Sequence, residues 1–108
     1  MAQKLPIQIP QVELGDFCRR WQIRKLSLFG SVLRNQLRPD SDLDVLVEFR
    51  GGRQAGLIQM AKIERELSDL VGRKVDLRTA ADLSRHFRDD VLREAQVQYA
   101  EGPAPDRG

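Results

Sequence analysis

Gly30-Ser31-Val32-Leu33-Arg34-Asn35-Gln36-Leu37-Arg38-Pro39-Asp40-Ser41-Asp42-Leu43-Asp44 is the stretch on which the fold turns. It opens on a glycine and a serine and closes on two aspartates either side of a leucine. The residues before it, Lys25 to Phe29, have strand character, with Leu26 and Leu28 on one face. A strand ending in Gly-Ser ahead of a helical turn lets the backbone come close to phosphate and aims free N–H groups at its oxygens. The Ser31 hydroxyl adds a further donor. Ser31 to Arg38 is too short and mixed for a core helix, and Pro39, Asp40 and Ser41 supply turn chemistry. One helical turn and a loop are expected there. Leu43 to Phe49 then alternates, with Leu43, Val45, Val47 and Phe49 on one side and Asp44, Leu46 and Glu48 on the other. Asp42 and Asp44 therefore leave the same face at the start of this strand, and two carboxylates held that close call for a cation.

Working outward, Leu14, Phe17, Cys18 and Trp21 recur at helical spacing behind Pro10, which predicts an amphipathic first helix over residues 10–21. Beyond the strand, Gly51 and Gly52 break the pattern, and Leu57, Met60, Ile63, Leu67 and Leu70 predict the longest helix, ended by Gly72. Arg73 to Arg78 alternates again, with Asp76 on the non-core face between Lys74 and Arg78. Thr79-Ala80-Ala81-Asp82 has the form of a capping box, and Leu83, Phe87 and Val91 carry a last helical region. A short strand over Gln96 to Tyr99 follows. Glu101 to Gly108 has two prolines, two glycines and no core residue, and is expected to be a disordered tail. The fold class is therefore α/β: a small, mixed, twisted sheet of about four strands, with helices on one face and the carboxylates on the other.

A chain of 108 residues with 41% hydrophobic and 31% charged residues suits one compact domain, here residues 1–100, and neither a polyelectrolyte nor a membrane protein. No apolar run is long enough to cross a bilayer, and the N-terminus has no secretory h-region, so a cytoplasmic location is expected. The single cysteine, Cys18, cannot form an internal disulfide and excludes a cysteine-based metal site. A net charge of +2 from 18 basic and 16 acidic residues gives a weak overall field, and aromatics at 6% leave little for a nucleic-acid surface. Self-association through the first helix stays open. His86 has no companion ligand nearby and is assigned no role.

The chemistry of the site can be read a step further. Hard carboxylate oxygens suit Mg²⁺, which is commonly held by one or two carboxylates together with substrate phosphates, so a nucleoside triphosphate is the expected substrate. If the strand bearing Asp76 lies beside that of Asp44, three carboxylates from two strands allow two metal ions. A calcium loop is excluded, because Val45 and Gly51 stand where that loop needs glycine and glutamate. A run of capping carboxylates, and for Asp76 a surface ion pair with its basic neighbours, are the bland alternatives.

Gly-Ser, ten residues, then Asp-x-Asp resembles the signature of the DNA polymerase beta-like nucleotidyltransferase superfamily, matched from Gly30 to Asp44 without a gap. With Arg34, Pro39, Ser41 and Gly72-Arg-Lys-Val-Asp-Leu, the chain is similar to the minimal nucleotidyltransferase antitoxins of HEPN–MNT toxin–antitoxin systems. Asn35 departs from the glycine common there, though Asn tolerates left-handed geometry. The resemblance implies the nucleotidyltransferase fold and an enzyme that uses ATP and Mg²⁺ to move AMP onto a tyrosine hydroxyl of a HEPN ribonuclease toxin. It further implies that Gly30, Ser31, Arg34 and Ser41 bind the nucleotide, with Arg38 helping to offset its charge. Asp42 and Asp44 would hold both metals, and Asp76 would complete the hydroxyl-side metal site and serve as general base. The rival functions are transfer to a small-molecule hydroxyl and a non-catalytic module that neutralises its partner by binding.

Overall fold

The computed structural model describes residues 9–34, 41–52 and 54–101, with the side chains of Ser31 and Arg34 outside that description. Along the chain run α1 (Gln11–Arg20), β1 (Ile23–Phe29), β2 (Leu43–Phe49), α2 (Leu57–Val71), β3 (Val75–Arg78), α3 (Arg85–Glu94) and β4 (Gln96–Ala100). Short 3₁₀ turns cover Gly30–Arg34, Arg50–Gly52 and Ala80–Asp82. The strands form one four-stranded sheet in the order β3-β2-β1-β4. Antiparallel pairing joins β1 to β2 and to β4, while β2 and β3 are parallel, with α2 as the crossover that parallel neighbours require. The expected mixed sheet is therefore present.

The alternation of β2 decides the layers. Leu43, Val45, Val47 and Phe49 join Leu26 and Leu28 of β1 and Val75 and Leu77 of β3 in one core. Leu14, Phe17 and Cys18 of α1 and Ile63 and Leu67 of α2 close it from the other side. Trp21 is half-buried and ties the end of α1 to α2, its indole N–H donating to Glu66 Oε1 at 3.0 Å. Gly72 takes the left-handed conformation (φ 78°) at the end of α2 and donates its N–H to the Ser68 carbonyl at 2.9 Å. The apolar stripe of α2 starts later than its spacing suggests: Leu57 opens the helix 90% exposed.

Two further expectations need correction. Helices do not keep to one face, because Leu83 and Val91 of the α3 region pack with Phe29 and Leu46 on the opposite side of the sheet. Leu46 and Phe29 are the apolar members of the strand face that also carries the carboxylates, and they give α3 something to bury. Glu101, placed at the start of the tail by composition, is anchored: its N–H donates to the Arg24 carbonyl at 2.7 Å and its carboxylate pairs with Arg50 at 2.6 Å. Residues 102–108 lie outside the described residues.

Two side chains of α2 finish β3. Val75 N–H donates to Ser68 Oγ at 3.0 Å and Leu77 N–H to Glu64 Oε2 at 2.8 Å, so the amides on the outer side of this edge strand have partners.

Candidate active site

Asp44 lies second in β2, and its partner across the parallel pairing is Asp76 of β3. Both are half-buried, and the adjacency of strands on which the role of Asp76 depends is present. Asp42 precedes β2 and is exposed. Gly30 follows β1 directly, one residue after Phe29, which pairs with Asp44. Its φ of +82° suits glycine, and a Cβ added there would stand 2.3 Å from Asp44 Oδ2. The glycine is thus required by backbone sign and by the carboxylate pressed against it. Val32, 2% exposed, pins the following turn into the core.

Burial pushes the Asp44 carboxyl above its ordinary value; the charges of Asp76 and, to a lesser degree, Asp42 push the same way, while Arg78 opposes them. The donor set consists of partly desolvated, mutually repelling carboxylate oxygens. That chemistry fits a hard divalent cation, whose charge would remove the repulsion. As the side chains stand, no three Asp, Glu, His or Cys groups among the described residues are gathered for metal binding. Asp76 is instead turned onto Arg78, accepting from Nε at 3.3 Å and from Nη2 at 3.2 Å. That hydrogen bond raises the Arg78 guanidinium further and keeps it charged. The ion pair foreseen as the bland reading of Asp76 and its place beside Asp44 therefore coexist.

These groups line an open cleft between the sheet and α3. Gly30, Asp44 and Asp76 form one side; Phe87, Asp90 and Glu94 form the other. Sequence reasoning missed the α3 wall. Its signal was available, since positions 87, 90, 91 and 94 fall on one helical face that mixes apolar and acidic residues. A second groove runs along the same sheet face past Ser27, Leu46 and Val97, and neither Asp44 nor Asp76 lines it.

The remaining site candidates are distributed as follows. Gly30, Ser31 and Arg34 share the 3₁₀ turn that follows β1, and Gly30 lines the cleft. Ser41 is half-buried, one residue before Asp42. Asn35 and Arg38 lie outside the described residues. His86 is exposed on α3. Cys18 is buried in the core, where desolvation pushes its thiol up to about 12, so it offers no nucleophile. Among the described residues, no helix is long and apolar enough to cross a membrane.

Residues 14–98 match the family model described as a nucleotidyltransferase domain. A Thermococcus cleftensis protein named protein adenylyltransferase MntA is 35% identical over 75 residues, which cover 69% of this chain and 74% of that one. A solved structure provisionally described as a minimal nucleotidyltransferase is 38% identical, with a TM-score of 0.64 over 79% of this chain and 85% of that one. A crystal structure of a toxin–antitoxin with AMP-PNP shares the fold, with a TM-score of 0.69 at 17% identity over 87% of this chain and 76% of that one.

Proposed function

Because the chain belongs to the nucleotidyltransferase domain family, we propose that it is the antitoxin of a toxin–antitoxin pair and transfers AMP from ATP to a tyrosine hydroxyl of a HEPN-type toxin. The observation that carries this reading is the register of Asp44 against Asp76 in a cleft that Gly30, at the start of the Gly30–Arg34 turn, also lines. The name of the Thermococcus relative supports adenylyl transfer to a protein, and the toxin–antitoxin neighbours support the partner class at the level of fold.

Asp42, Asp44 and Asp76 would hold Mg²⁺, in a pair of ions if all three engage. When bound, Mg²⁺ supplies charge to offset the phosphate oxygens and lowers the pKa of the attacking hydroxyl. The chain's own groups do the rest. Backbone N–H groups of the Gly30–Arg34 turn, the Ser31 and Ser41 hydroxyls and Arg34 bind the β- and γ-phosphates and present the α-phosphate to the cleft. The acceptor hydroxyl enters beside Asp76, which accepts its proton as general base. The new bond joins the hydroxyl oxygen to the α-phosphorus; the bond from that phosphorus to the β-phosphate bridge breaks, and pyrophosphate leaves.

The test is incubation of the purified protein with Mg²⁺, ATP labelled at the α-phosphate and the candidate HEPN partner. Label should appear on a partner tyrosine, and Asp44→Asn should lower transfer by at least roughly 10³-fold, in line with several kcal/mol of lost charge stabilisation. An unlabelled partner would sink the transferase reading in favour of neutralisation by binding. Label on a small molecule in place of the partner would favour the other enzymatic function.

A further inference from the structure

We propose that Arg78 is the resident counter-cation of the cleft: it holds Asp76 while no metal is bound, then moves to the triphosphate when nucleotide arrives, so that the divalent cation enters with the nucleotide. This rests on the adenylyl-transfer reading above.

Arg78 follows Asp76 by two positions on β3, which places both side chains on the carboxylate face. Its Nε and Nη2 reach the two oxygens of Asp76 separately, at 3.3 and 3.2 Å, a forked grip that engages the whole carboxylate. Among the described residues lining the cleft it is the only basic one, beside Asp76 and Asp44, while Asp82 is held by Thr79 and Asp90 is paired with Arg93. One permanent positive charge thus stands where the Asp44–Asp76 pair needs compensation.

A divalent ion approaching Asp76 must displace this guanidinium or share the carboxylate with it, and the two cations repel. Metal alone is therefore opposed. The Arg78 side chain is 46% exposed, so it can swing outward without breaking a core contact. Its fork suits phosphate oxygens as well as carboxylates, and a bound triphosphate offers it a second partner while delivering the metal. A residue that only fastened Asp76 in place would aid metal and nucleotide alike. A counter-cation that changes partners opposes one and aids the other.

Calorimetric titration of wild type, Arg78→Gln and Arg78→Lys with Mn²⁺ alone, and separately with Mg²⁺ plus AMP-PNP, distinguishes the two. Arg78→Gln should bind Mn²⁺ alone about tenfold tighter, a small part of the repulsion between a +1 and a +2 charge at one carboxylate. The same variant should bind Mg²⁺ with AMP-PNP several-fold more weakly. Arg78→Lys, which keeps the charge and loses the fork, should fall between wild type and Arg78→Gln in both titrations. Shifts of the same sign in the two titrations, or unchanged Mn²⁺ affinity, overturn the counter-cation role while leaving the transferase reading intact. Wild-type protein that binds neither probe removes both.

Discussion

On the face of the sheet covered by α1 and α2, Leu26, Leu28, Leu43, Val45 and Val75 are within 1% of complete burial. One step along the same strands the side chains turn over, and Asp44 and Asp76 stand half-exposed, side by side and unfavourable to one another. The first face is held together by contact, and every group there is satisfied by its neighbours. The second has charges that its own residues only partly satisfy, with one arginine pressed into service. The main core and the paired carboxylates thus lie on opposite sides of a layer one residue thick, with only the smaller cluster of Phe29, Leu46, Leu83 and Val91 on the charged side.

The separation is exposed to direct tests. Its apolar side should fail first: Leu67→Ala, at a position 1% exposed in α2, should lower the unfolding free energy by about 3–4 kcal/mol in a urea titration. Adenylyl transfer per folded molecule should stay unchanged, and a large loss there would mean that the two faces are coupled. Gly30→Ala bridges them. A methyl forced to within 2.3 Å of Asp44 Oδ2 at a φ of +82° should cost about 1–3 kcal/mol by the same titration and depress transfer as well, since relief comes only by displacing the carboxylate. Full activity in Gly30→Ala would show that the position of Asp44 does not matter. The smallest effect has the opposite sign: Asp44→Asn should stabilise the metal-free protein by about 0.5–1 kcal/mol at neutral pH. Because folding raises the Asp44 pKa, its ionisation costs the folded state more than the unfolded chain. The advantage of the variant should therefore grow as pH rises from the ordinary carboxylate value through the raised one. It should vanish at lower pH, where Asp44 is neutral in both states. A variant no more stable than wild type at neutral pH would mean that the repulsion is already compensated.

How much of this could be read beforehand follows from the range of each interaction. The alternation of β2 is local, so the strand Leu43 to Phe49 and its buried face were legible from residue types alone. Gly72 as a helix end and Thr79 with Asp82 as a capping pair were legible for the same reason, the latter closing through Asp82 Oδ2 at 3.0 Å from Thr79 N–H. The partnership of Asp44 with Asp76 was not, because a parallel register is set by how α2 crosses over and leaves no mark at either aspartate. Nor was the side on which α3 settles: Leu83 and Val91 announce a buried helical face without saying which sheet surface buries it. The exposed start of α2 at Leu57 was hidden likewise, since spacing gives the angle of a stripe and not where along the helix the neighbour begins.

The hydrogen bonds from Val75 and Leu77 to Ser68 and Glu64 also bear on assembly. A sheet edge with idle amides is an open template on which another chain can add a strand. Here the strand that carries Asp76 has those amides occupied by its own crossover helix. Lengthening of the sheet is thereby opposed beside the carboxylates, and a visiting protein finds no free amides at Val75 and Leu77 on which to add a fifth strand.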